Sequence, residues 1–110
     1  MALDAHVVDH PKCQTLTEWP VCQFEELVHS YIFYGAGIDI YSRYAFLRRM
    51  IDFYADASYT DDTLDSVVSE IEDLLPHLTA NKDAVDTLTL FRRVCVDARA
   101  AGKTVLLNCD

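Results

Sequence analysis

The sequence predicts an all-α fold: one four-helix-bundle-like domain over residues 1–110, with an irregular arm at 1–16, helices across 17–101 and a short extended tail at 102–110. Three observations carry this expectation. Apolar residues recur at intervals of three and four through most of the chain, the spacing of one helix face. Only three glycines and three prolines interrupt 110 residues, 51% of them hydrophobic, a composition unlike that of disordered chains. The segments between periodic stretches are short, which favours antiparallel neighbouring helices.

In chain order, His10-Pro11 marks a turn within the arm. Thr17 is placed as an N-cap, with Glu18 in the first turn and Pro20 tolerated near the helix start. This first helix is expected to run to about Tyr34. Phe24, Leu27, Val28, Tyr31 and Ile32 form its inner stripe, Glu25, Glu26 and His29 lie toward solvent, and Trp19 packs over the bundle end. Gly35-Ala36-Gly37 breaks the chain before the next helix. That helix, Ile38–Asp56, is the expected spine, with Ile40, Tyr44, Leu47, Ile51 and Tyr54 in one apolar row and Phe46, Met50 and Phe53 in another. Arg43 falls inside this apolar arc and needs a partner, which Asp39 can supply one turn earlier.

The third helix is expected to start at a Thr60 or Asp61 cap and to bury Leu64, Val67, Val68, Ile71, Leu74, Leu75 and Leu78, with Pro76 kinking or ending it. Asn81 caps a fourth helix, 83–101, whose stripe is Ala84, Leu88, Phe91, Cys95 and Ala98, and Gly102 closes it. The tail, Thr104 to Cys109, is apolar and β-prone. It is expected to dock as an extended segment or pair as an edge strand.

The net charge is −9 and uneven. Residues 56–83 hold eight acids and one lysine, a net −7. Such a surface disfavours direct nucleic-acid and anionic-membrane binding and favours a basic partner. No apolar run approaches the roughly 18 residues of a membrane span, and the N-terminus lacks a basic region followed by an apolar core, so a cytoplasmic location is expected. The sequence has no glycine-rich phosphate loop, no GxSxG, no HExxH and no CxxC. His6, His10, Cys13 and Cys22 provide ligand types for zinc at a spacing that matches no standard knuckle. The expectation is therefore no metal, no cofactor and no enzymatic activity. A Cys13–Cys22 disulfide is conceivable in an oxidising compartment, but free thiols are expected.

Two functional readings are open. The first is a small acidic inhibitor that masks a basic protein, a nuclease toxin being one class that fits. Its surface would be Asp61, Asp62, Asp65, Ser69, Glu72 and Asp73, with Tyr59 or Tyr41 as aromatic anchor. The second is a helical subunit or adaptor that binds through apolar surface or the C-terminal tail. Locally, TDDTLD at 60–65 is similar to the acidic start of the second helix of nuclease-colicin immunity proteins, and RAAGK at 99–103 resembles the end of their last helix. The resemblance covers these two stretches alone and lacks their tyrosine-pair segment, so it assigns no family.

Overall fold

The computed structural model describes residues 2–9 and 20–109. It corrects the all-α expectation, because a four-stranded antiparallel sheet is at the centre of the fold. The strands are β1 (Ala2–Val8), β2 (Cys22–Glu25), β3 (Ala57–Tyr59) and β4 (Thr104–Cys109), in the order β2-β1-β4-β3. The irregular arm is thus an interior strand over 2–8. The tail is the other interior strand rather than an edge. β4 pairs with β1 from Leu3↔Cys109 to Val8↔Thr104 and with β3 from Ala57↔Leu107 to Tyr59↔Val105.

The pleat explains which residues each strand commits to the core, since successive side chains face opposite ways. Leu3, Ala5, Cys22, Phe24, Tyr59, Val105 and Leu107 belong to the core cluster, and register places them on one face. The period-two alternation of Cys22-Gln23-Phe24-Glu25, buried then exposed, shows why this stretch is a strand. It takes residues 22–25 out of the expected 17–34 helix. The second half is one helical turn, α1 (Glu26–Ser30), running into a π-turn at Tyr31–Gly35. The glycine break is present: Gly37 has φ +77°, the left-handed region that glycine enters without strain. Thr17, Glu18, Trp19 and the His10-Pro11 turn lie outside the described residues.

The expected Ile38–Asp56 helix is also corrected. The chain makes a single turn, α2 (Ile40–Arg43), leaves helix at Tyr44 (φ −126°, ψ 99°), and resumes as a 3-10 turn at Leu47–Met50. Tyr44, Leu47, Met50 and Phe53 are all buried. Leu47 and Met50, three residues apart, face the core together from the 3-10 turn, which has three residues per turn. The break leaves backbone N–H groups without helical partners, and Glu70 accepts from two of them, Phe46 at 3.1 Å and Leu47 at 2.9 Å. Asp39 caps α2 by accepting from Ser42 N–H. Arg43 instead reaches Asp73 at 3.6 Å and is half exposed, so the Arg43–Asp39 pairing is overturned.

The last two helices match the sequence closely. A 3-10 turn at Asp61–Thr63 leads into α3 (Leu64–Leu74), which tightens to 3-10 over Leu75–Leu78 where Pro76 removes a donor. Leu64, Val67, Ile71, Leu74 and Leu78 are fully buried. In α4 (Lys82–Ala100) the Asn81 side chain accepts from Ala84 N–H at 3.1 Å. At its other end Gly102 has φ +67°; Lys103 N–H bonds Ala98 O and Gly102 N–H bonds Arg99 O, a Schellman closure. Ala84, Leu88, Phe91, Cys95 and Ala98 bury the expected stripe. α4 packs against the sheet and α3 packs against α4. Phe91 meets Phe24 edge to face, centroids 5.2 Å apart. Burial pushes the Cys22 and Cys95 thiols up to about 12, so both stay protonated and act as apolar filler.

His29 is the buried polar residue that a continuous helical phase misplaces. It is 1% exposed, not at the surface. Its ring lies 4.5 Å from Phe33 and 5.0 Å from Phe53. Its Nε2 is 2.6 Å from Met50 O; because a carbonyl only accepts, that nitrogen carries the proton. Burial lowers the His29 pKa from its ordinary 6.5, outweighing the Met50 hydrogen bond and the Asp52 charge, which raise it. Below 6.5 the unfolded chain takes up a proton that the folded site resists, so stability falls as pH drops through that window and is retained above it. The urea midpoint is expected to fall between about pH 7.5 and pH 5.5, and to fall less in His29→Gln.

Candidate partner-binding surface

The residues singled out by the sequence separate into three environments. Asp62, Asp65, Ser69, Glu72 and Asp73 are exposed on the outer side of the α3 region, with Asp61 half-buried at its N-terminal end. Three of these acids face arginines. Arg99 meets Asp65 at 3.3 Å and Arg92 meets Glu72 at 3.0 Å. The two acids and the two arginines are each seven residues apart, so the pairs lace antiparallel α3 and α4 two turns apart. Asp73 takes Arg43 and, at 2.7 Å, the hydroxyl of Tyr44. Burial, reinforced by that acceptor, pushes the Tyr44 phenol up to about 12. Asp61 accepts from Asp62 N–H, and Asp62 accepts from the Thr60 hydroxyl.

Tyr59 is fully buried and donates its hydroxyl to Phe46 O at 2.6 Å. It is a core residue of β3 with no surface to present. Tyr41 is 60% exposed beneath the Arg48 guanidinium, 5.3 Å from its ring centroid.

Every described lysine and arginine is held by a carboxylate or an aromatic ring. Lys82, Arg93 and Lys103 pair with Asp86, Asp97 and Asp9, and Arg49 lies over Phe46 and Tyr59. The described cations are therefore engaged internally, the arginines at 48, 49, 92, 93 and 99 each by a carboxylate or a ring. The surplus consists of carboxylates. Glu25, Glu26, Asp52, Asp56, Asp61 and Asp62 form no ion pair among the described residues.

Sequence reasoning misses a second feature, the joint between α1 with its π-turn and residues 50–54. Tyr34 donates to Ile51 O at 2.9 Å and Tyr54 donates to Glu26 at 3.2 Å, while His29 reaches Met50 O from beneath. Around these links Leu27 is 85%, Tyr34 65% and Tyr54 63% exposed. A continuous α-helical phase assigns Leu27 and Tyr54 to apolar stripes. Only the correct break points, at Glu25 and Tyr44, turn them outward.

His6 and Cys22 do not converge. Cys22 pairs with Ala5 and shares its face, while His6, the next residue, points to the other side of the sheet. His10 and Cys13 lie outside the described residues. Among the described residues no group of three His, Cys, Asp or Glu side chains is placed to hold a metal ion, and no helix is long and apolar enough to cross a membrane. No family model, curated protein or solved structure matches the chain.

Proposed function

We propose that this protein is a non-catalytic acidic binding protein that docks on and masks a basic protein partner, a nuclease toxin being one class that fits. One observation carries the reading: with the described cations already engaged, the −9 excess is left as carboxylates. A field of that sign raises the encounter rate with a cationic surface and disfavours anionic ones. Asp62, Asp65, Ser69, Glu72 and Asp73 stand open along α3, with Asp61 beside them. The arginines opposite Asp65, Glu72 and Asp73 do not remove this surface from use. Those ion pairs are exposed, and exposed pairs are worth only about 0–1 kcal/mol, so a partner's lysines and arginines compete with them. The reading is for a cytoplasmic protein without cofactor or metal.

The test is capture of binding partners at low salt by the wild type and by the Asp62→Asn, Asp65→Asn, Glu72→Gln, Asp73→Asn variant. Screening and neutralisation remove the same attraction. A captured basic protein should be lost at high salt and bound roughly tenfold more weakly by the variant. A partner retained through both treatments would move the interface to apolar surface and sink the proposal.

A further inference from the structure

Resting on that reading, we infer that the docking surface is anchored at the joint of α1 and the 51–54 turn, and that its occupant is a protein segment combining lysine or arginine with an apolar side chain. Leu27, Tyr34 and Tyr54 are large side chains left in solvent around two interlocking hydrogen bonds. Isolated exposed apolar residues are ordinary, but grouped ones mark interaction sites. Both tyrosine hydroxyls are tethered, to Ile51 O and to Glu26, so the rings are held before a partner arrives. Little side-chain freedom is then lost on contact, and tyrosine is among the residues that dominate interface energetics.

Charge selects the occupant. Glu25 and Glu26 begin this surface and Asp52 lies in the turn, none with an ion-paired cation among the described residues. The Tyr54 phenol is raised above its ordinary range, first by the charge of Glu26, with Cys109 and Asp52 acting in the same direction. Glu26, which accepts from the Tyr54 hydroxyl, is the first cause of that shift. This surface differs from the α3 face, where arginines already stand opposite three of the acids. A purely apolar partner leaves these carboxylates unmatched, and a purely cationic one leaves Leu27 exposed.

The experiment uses the full chain and three synthetic peptides of equal length: alternating Lys/Leu, oligolysine, and alternating Glu/Leu. Affinities come from fluorescence anisotropy, contacts from amide chemical-shift changes, and self-association from sedimentation. The Lys/Leu peptide should bind about tenfold more tightly than oligolysine and shift amides at 26–34 and 51–54. Leu27→Ser with Tyr54→Ser should bring it to the oligolysine level while the chain still melts cooperatively, since both side chains are mostly exposed and the Tyr54–Glu26 hydrogen bond lies at the surface. Shifts confined to 61–73, unaffected by that variant, would overturn the joint as anchor while leaving the acidic-masking reading intact. Failure of both cationic peptides to bind would count against that reading itself. Equal binding of the Glu/Leu peptide would refute the charge selection. Self-association that the double variant abolishes would make a second copy the occupant and overturn the assignment.

Discussion

A chain ending at Gly102 is expected to lose its cooperative thermal transition rather than fold with a trimmed tail. β4 is flanked on both sides: six register positions tie it to β1 and three tie it to β3. Without it, β3 has no partner in the sheet, and β1 keeps only β2, a two-stranded pairing that is marginal in water. Val105 is 0% and Leu107 1% exposed. Losing two such side chains removes about 3–6 kcal/mol of burial. Uncovering Leu3, Ala5 and Tyr59 adds several kcal/mol to that on the same accounting. Domains of this size are stable by only about 5–15 kcal/mol. Far-UV circular dichroism with thermal and urea titration decides the matter. A truncated chain that melts cooperatively within a few degrees of the full chain would show that the strand is dispensable, as a bundle with a loose tail requires.

This strand also shows where the sequence is readable. α3 and α4 are legible because each carries a continuous amphipathic stripe over several turns between identifiable signals: Pro76 after α3, Asn81 and Gly102 around α4. The sheet is not. Its strands run from three to seven residues, too short for alternation to outweigh the helical spacing of their neighbours. β-propensity is visible at 104–109, but pairing needs a partner. That partner, β1, lies about a hundred residues away, as Leu3↔Cys109 shows. At 38–56 the apolar interval is compatible with one α-helix and with short single turns separated by breaks. What decides between them is tertiary: Glu70, across the structure, supplies the acceptor that a broken helix needs. The candidate surface inherits these errors of phase. The acids on α3 are predicted on the correct face because the helix itself is. The exposed Leu27, Tyr34 and Tyr54 escape prediction because their segment is not one helix.

Tyr59 is where the fold correction has its sharpest consequence, and Tyr59→Ala is expected to destabilise the protein by about 3–5 kcal/mol. The ring is completely buried between β4 and the 46–50 segment. The Arg49 guanidinium lies 5.6 Å from its centroid, a position of favourable cation–π attraction. Burial drives the phenol pKa well upward, outweighing the opposite effect of Arg49. The hydroxyl therefore stays a donor at any physiological pH and satisfies Phe46 O where the helix is interrupted. Tyr59→Phe keeps the ring and deletes only that donor. It should cost about 1–2 kcal/mol, the value of a buried carbonyl left without its partner. Urea denaturation of the two variants separates these contributions. An exposed anchor would give the opposite result, with near-wild-type stability in both and loss of binding alone. If Tyr59→Ala moved the urea midpoint by no more than an exposed substitution such as Leu27→Ser, the interior placement of β3 would be wrong.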